Sequence, residues 1–332
     1  MQNEHAPLHW GIISTAKIGR TKVIPALLRA NGVTLAGVAS RGAGRAAEFL
    51  EQEGWTATAY DSYEAMFEDE RIDVVYNPTP NHLHVPLTLK AMAAGKHVLC
   101  EKPLALSADE AKQLAEAAAA NPGIKVMEAF MYRFHAQWQE VKRLVDSGRL
   151  GALTHIHSRF AYTNMDADNV RNKADIGGGA LMDIGCYCIS LSRWLTGEEP
   201  EWMSAQQHID PAFGTDSHTA ALMHFPSDVS ASFYCSTQSA PEQSVEIQCQ
   251  RGKIRMDLPF TPEWNAPVTI KVVEEGVERD LVIEAHDQYR AQIEAFSAAV
   301  AKDTVVPTPL SDAVNNMRVI EALRETAYIT PR

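Results

Sequence analysis

The sequence predicts an α/β protein: a doubly wound parallel sheet, then a second α+β domain with a large, mostly antiparallel open sheet. Three observations carry that expectation. Up to about residue 127, short apolar runs alternate strictly with helical patterns, which means parallel βαβ units. From about residue 152 the pattern changes to long alternating runs joined by short turns such as PSD and RGK, which indicates antiparallel pairing. At 332 residues the chain exceeds the usual size of one hydrophobic core, so two domains are expected, residues 1–127 and 128–332.

The first strand is LHWGII at 8–13, followed by the helical IGRTKVIPALLRA. VTLAGVAS at 33–40 is the second strand and RAAEFLEQEG the next helix. A short TATAY, the helical SYEAMFED, the strand DVVYNP at 73–78 and the helix HVPLTLKAMAAG lead to HVLCEKP at 97–103. Ser107 caps the helix SADEAKQLAEAAAAN, with Glu110 three residues on, and IKVMEAF closes the first domain as a strand. In the second domain LTHIHSRFAYT, EWMSAQQHI, SHTAALMHF, DVSASFYCS, SVEIQCQ, GKIRMDL, PVTIKVVEE and ERDLVIEA read as strands, and CYCISLSRWL as a buried helix. Two helical stretches close the chain, DQYRAQIEAFSAAVAK and SDAVNNMRVIEALRETAYI, the latter capped by Ser311.

A formal charge of −12 disfavours general affinity for nucleic acid or anionic lipid, so the expected partner is a small neutral or phosphorylated molecule. No apolar run approaches the roughly 20 residues of a membrane helix. The cysteines at 100, 186, 188, 235 and 249 form no CxxC pair and are odd in number, which reads as reduced thiols and a cytoplasmic protein. The opening MQNEHAPLHWG lacks a basic segment followed by an apolar core, so no signal peptide is expected. His82 and His84, like His155 and His157, sit two apart, but no carboxylate or thiol set completes a metal site, and none is expected.

Three strand ends carry candidate chemistry. After the first strand, the register of a G-x-G-x-x-G fingerprint reads Ser14, Thr15, Ala16, Lys17, Ile18, Gly19, so only the third glycine survives. Serine and alanine are the next smallest side chains, and close approach of a pyrophosphate to the helix start remains feasible. The alternative is a plain βα turn. The second strand ends at Ser40 and Arg41, where an acid would otherwise bind a ribose 2′-hydroxyl; serine and arginine there accept a 2′-phosphate, with Arg45 in support. This predicts NADP(H) rather than NAD(H). HVLCEKP ends in Glu101, Lys102 and Pro103, at the carboxyl end of a strand where open parallel sheets bind ligands. Lys102 is either a chemical group or half of an ordinary surface charge pair.

With HVLCEKP, VVYNPTPNHLH at 74–84, EAFMYRF at 128–134 and GGGALMDIGCYCI at 177–189, the sequence resembles the Gfo/Idh/MocA family of NAD(P)-dependent oxidoreductases. It is most similar to the branch of glucose-fructose oxidoreductase, NADP-dependent xylose dehydrogenase, 1,5-anhydrofructose reductase and dihydrodiol dehydrogenase. The resemblance implies an NADP-binding Rossmann domain, and a substrate-binding and oligomerisation domain whose open sheet makes a homodimer, or a homotetramer. It places Thr79, Pro80, Asn81 and His84 along the cofactor, with Glu101 and Lys102 beside the nicotinamide ribose. Where many relatives carry histidine, this chain has Asp183 followed four residues on by Tyr187, which shifts the acid/base from imidazole to phenol.

Removing hydride from a carbinol carbon requires the hydroxyl proton to leave toward a base. Free tyrosine is a poor base near neutrality, and a neighbouring ammonium favours its phenolate. The expected assignment is Tyr187 as acid/base, Lys102 as its electrostatic partner and substrate ligand, and Asp183 as an orienting group or substrate contact. Tyr187 also reads as a core tyrosine of a buried helix. Tyr132 and Arg133 are expected at the substrate or as its support. Arg171 and Asn172 reach cofactor or substrate, or lie in a solvated loop, and Gly177, Gly178 and Gly179 permit close backbone approach or act as a hinge. The substrate expected is an aldose-type pyranose or related polyol. Alternatives are a trans-dihydrodiol, a dicarbonyl sugar of the 1,5-anhydrofructose type, or no turnover at all in a nucleotide-binding regulator.

Overall fold

The computed structural model describes residues 6–329. The opening segment read for a leader therefore lies partly outside the described residues. The chain divides into two compact units, one running to Met131 and including Tyr289–Val314, the other comprising Tyr132–Gln288 and the chain from Asn315 on. A single break after residue 127 does not anticipate this return of the chain to the first unit.

The first unit is a parallel sheet of β1 (Leu8–Ile13), β2 (Val33–Ala39), β3 (Thr58–Tyr60), β4 (Val74–Asn77), β5 (His97–Cys100) and β6 (Val126–Glu128), in the order β3-β2-β1-β4-β5-β6. β4 is wholly buried and β1 buried over its last four residues, as strands covered on both faces must be. The helix Tyr63–Phe67 packs so closely on β1 that a Cβ on Gly11 would meet Met66 Sδ at 2.5 Å. Ser107 caps the helix Ala108–Ala120 as expected, its hydroxyl accepting the Glu110 N–H at 3.1 Å. The returning helix Gln288–Ala301 brings Phe296 edge-on to the buried Trp10, ring centres 6.0 Å apart, and Glu294 accepts the Asn31 N–H at 2.9 Å. Tertiary packing alone makes this helix part of the first unit.

The second unit is a nine-stranded sheet of β7 (Leu153–Thr163), β8 (Trp202–Ile209), β9 (Asp216–His224), β10 (Ser230–Ser236), β11 (Gln238–Cys249), β12 (Gly252–Met256), β13 (Val268–Glu274), β14 (Val277–Ile283) and β15 (Ala327–Ile329). Its order is β14-β13-β12-β11-β7-β10-β9-β8-β15, antiparallel except where β10 pairs β7 and β15 pairs β8. β15 corrects the sequence reading, which continued the last helix through these residues; the helix ends at Glu325 and the chain adds a strand to β8 instead. That helix begins at Leu310, so Ser311 lies inside it rather than capping it. The amphipathic helix Ala136–Asp146 was not read from the sequence at all; it buries Trp138, Val141 and Leu144. The core beneath the sheet is aromatic, with Phe160 stacked on Phe260 at 5.2 Å and Tyr132 edge-on to Trp138 and Trp194.

Candidate active site

In the first unit, the turn after β1 makes the conformation of the fingerprint without its first glycine. Ser14 takes φ +80 and donates its N–H to Ala39 O at 2.8 Å, tying the ends of β1 and β2 together. Thr15 and Ala16 continue the turn, and from Lys17 and Ile18 the chain coils into a helix whose Gly19–Val23 turn is π-type. A Cβ on Gly19 would meet nothing closer than Ile12 Cγ2 at 3.7 Å, so the surviving glycine is not sterically required. The turn can therefore still offer backbone N–H groups to a pyrophosphate.

After β2, Ser40 is buried and donates its N–H to Tyr60 O, while Arg41 and Arg45 are exposed. Burial raises the pKa of the Tyr63 phenol, and the charges of Arg41 and, more weakly, Arg45 oppose that rise. Asp61 accepts the N–H of Gly44, at the start of the helix Arg45–Glu53. Two guanidinium groups thus lie within electrostatic reach of one phenol beyond the second strand, and guanidinium is a donor type that suits a phosphate. Tyr63 and Asp61 carried no sequence signal, because SYEAMFED shows only a helical pattern.

The loops after β4 and β5 are cross-tied. Asn77 is fully buried and binds Thr79 Oγ1 at 2.7 Å and the His84 carbonyl at 3.1 Å. The His84 ring nitrogens lie 2.8 and 2.7 Å from the carbonyl oxygens of Pro103 and Thr79. Burial holds its pKa down to about 4, so at neutral pH the ring is neutral and donates to one of them. His84 is thereby placed between the two loops, with Pro80 and Asn81 leading into the short helix Asn81–Leu83 beside it. Glu101 accepts the Tyr76 hydroxyl at 2.6 Å and the Lys102 N–H at 3.2 Å. Tyr76 is buried, its pKa raised well above the ordinary value first by that burial, and it fixes the carboxylate next to Lys102. Only its place in a buried strand was legible beforehand.

In the second unit, Asp183 lies on the π-type turn Leu181–Gly185 and Tyr187 on the first turn of the helix Cys186–Thr196. Asp183 Oδ2 accepts a short hydrogen bond from the Tyr162 hydroxyl and one from Arg171 Nε at 2.9 Å. The carboxylate raises the pKa of Arg171, while Tyr162 is raised by burial first and by Asp183 next. Arg171 also feels the Tyr187 phenol, so the acid, the cation and both tyrosines form one electrostatic group. Arg171 is exposed, its side chain 44% accessible, yet it is tied to Asp183. Asn172 is buried and donates to Asp166 O at 2.8 Å.

Tyr187 is 5% exposed and rests on Tyr132, Phe160 and Phe260, with ring centres 5.8, 5.5 and 5.4 Å away. Tyr132 has no exposed surface; its hydroxyl lies 2.9 Å from Ser190 Oγ, which Arg133 also binds at 2.7 Å. Tyr132 thus packs against Tyr187, and Arg133 braces Tyr132 through Ser190. Tyr162 was read only as part of a strand, and its partnership with a residue 21 positions away leaves no local pattern.

A parallel sheet in this order, with its strand-end loops so arranged, is the architecture of dinucleotide-binding domains, here followed by a separate second domain. Residues 8–130 match the oxidoreductase family with an NAD-binding Rossmann fold, and residues 138–255 match the GFO/IDH/MocA C-terminal domain. The chain belongs to the Gfo/Idh/MocA family of oxidoreductases. It is 39% identical to an uncharacterized oxidoreductase of Rhizobium meliloti, covering 96% of this chain and 97% of that one. It is 34% identical to D-xylose 1-dehydrogenase (NADP(+)) 2 of Haloferax volcanii, again over 96% of this chain and 97% of the other. Among solved structures, a 3-ketoreductase from Actinomadura kijaniata in complex with NADP and TDP-benzene superimposes with a TM-score of 0.91 at 29% identity, over 98% of this chain and all of that one. Among the described residues, no helix is long and apolar enough to cross a membrane.

Proposed function

We propose that this protein is an NADP(H)-dependent dehydrogenase or reductase that moves a hydride between nicotinamide and a carbinol or carbonyl carbon of a sugar or related polyol. The observation that carries this reading is Asp183 held by Tyr162 and Arg171 one turn ahead of Tyr187. An acid ordered by two donors beside a phenol on a solid aromatic floor suits the handling of a substrate hydroxyl. When bound, nicotinamide takes or gives the hydride, the one step the side chains cannot supply. In oxidation, the Tyr187 phenolate oxygen accepts the hydroxyl proton, and in reduction the phenol returns it to the carbonyl oxygen. The Lys102 ammonium stabilises the phenolate and binds the same hydroxyl, and Asp183 orients the substrate. Ser14, Thr15, Ala16, Lys17 and Ile18 hold the pyrophosphate; Ser40, Arg41 and Arg45 hold the 2′-phosphate.

Thr79, Pro80, Asn81, His84, Glu101 and Arg171 are the further cofactor contacts of this reading. The NADP-linked names of the xylose dehydrogenase and the ketoreductase support this choice of cofactor and substrate class. We further infer a homodimer through the open sheet, and a reducing compartment in keeping with five buried cysteines that form no disulfide. The test compares wild type with Tyr187→Phe and Lys102→Met, using NADP or NADPH with xylose, glucose, 1,5-anhydrofructose and a cyclic dihydrodiol. Each variant is expected to lower kcat by about 100-fold or more while Tyr187→Phe keeps its affinity for NADPH. Activity within about twofold of wild type in both variants would sink the reading.

A further inference from the structure

Two of the three glycines ahead of the Asp183 helix are required by what surrounds them. Gly179 has φ +116, and a Cβ there would lie 2.0 Å from Asp216 Oδ1. On Gly178 it would lie 2.5 Å from the Arg171 carbonyl oxygen. The backbone is thus pressed between a buried carboxylate and the Arg171 loop, and Gly179 donates its N–H to Arg171 O at 2.8 Å. Asp216, the first residue of β9 and 6% exposed, accepts the Leu181 N–H at 2.8 Å, where the turn carrying Asp183 begins. Thr219 Oγ1 donates to the same oxygen at 2.7 Å. A carboxylate is well placed there, because the first N–H groups of a helix have no partners within it.

We propose that Asp216 is a positioning residue for the reaction: its carboxylate fixes the start of the helix that aims Asp183 and Tyr187, and with it the loop that carries Arg171. This rests on the role given above to Tyr187. The other ionisable groups facing it are Arg324, from the last helix, and the buried Cys235 thiol of β10. Burial outweighs Arg324 and the two hydrogen bonds, and raises the Asp216 pKa to about 6. The acid is therefore ionised at neutral pH and loses its charge in mild acid. Its hold on Leu181 then weakens, and a displaced catalytic helix is costly, since a shift of about 1 Å can lower a rate about 100-fold. Activity should fall on the acid side through a group that never touches substrate.

The experiment measures kcat and KM across pH, NADPH affinity by fluorescence and thermal unfolding, for Asp216→Asn, Thr219→Val and Tyr187→Phe. The substrate is whichever member of the panel above is turned over fastest. Asp216→Asn should lower kcat about tenfold with NADPH affinity within about twofold, and the acid limb near pH 6 should vanish. Thr219→Val keeps the carboxylate but removes a bond that favours its charged form, so its acid limb should move toward neutral pH. A packing role alone would lower the melting temperature and leave these limbs where they are. Wild-type kcat with an unchanged limb in Asp216→Asn overturns the proposal. If that variant fails to fold, an unmoved limb in Thr219→Val overturns it instead. An inactive Tyr187→Phe beside unaltered Asp216 and Thr219 variants sinks this inference alone, whereas an active Tyr187→Phe sinks the catalytic reading and this one together.

Discussion

Two turns, one in each unit, lead into helices near candidate site residues, and they use glycine in opposite ways. After β1, the positive-φ position is held by Ser14, and the remaining glycine, Gly19, has room for a side chain. Before the Asp183 helix, Gly179 faces a carboxylate oxygen inside the volume a Cβ would fill. A serine can bear a left-handed backbone at a cost of roughly 1–2 kcal/mol, whereas no side chain can share space with another atom. The degenerate fingerprint therefore says little against a nucleotide turn, and the intact glycine run says much about its neighbours.

The largest effect should come from Gly179→Ala, which must both adopt φ +116 and displace Asp216. A loss of roughly 3 kcal/mol or more is expected, read as a lower melting temperature of the second unit; an unchanged melting temperature would break the comparison. Next is Asp216, whose folded pKa of about 6 lies above its ordinary 3.8. Its contribution to stability is full below the ordinary value and is lost as pH rises through the folded one, by up to about 3 kcal/mol. Urea unfolding across this range should show that slope in wild type and a flatter one in Asp216→Asn. On the other turn, Arg41→Ala should weaken NADP relative to NAD roughly tenfold, measured as the ratio of their KM values; an unchanged ratio removes Arg41 from the phosphate site. Ser14→Gly should relieve the left-handed serine and raise stability by at most about 1 kcal/mol. Smallest of all, Gly19→Ala should be neutral or gain about 0.5 kcal/mol, since the helix favours alanine and the site has space.

The alternation of apolar runs with helical patterns was enough to find the six-stranded sheet, because parallel strands buried on both faces leave continuous apolar stretches. Lys102 and Arg41 stand out as candidates because strand ends are where such sheets bind ligands. Asp216 was not, since an acid opening a strand looks like any turn residue until Leu181, 35 positions earlier, is found against it. Tyr76 and Tyr162 sat in correctly read strands, but nothing in a strand pattern says which acid a phenol will meet.

The sequence by itself determined the strand and helix alternation of the first unit, the change of sheet type between the units and the strand-end candidates, because these follow from periodicity over a few residues. Only the tertiary structure decided that the helix Gln288–Ala301 returns to the first unit, that β15 adds to β8, and that Asp183 meets Tyr162 and Arg171. Those outcomes depend on which distant surfaces exclude water together and which buried polar groups must find partners, and neither is written in local spacing.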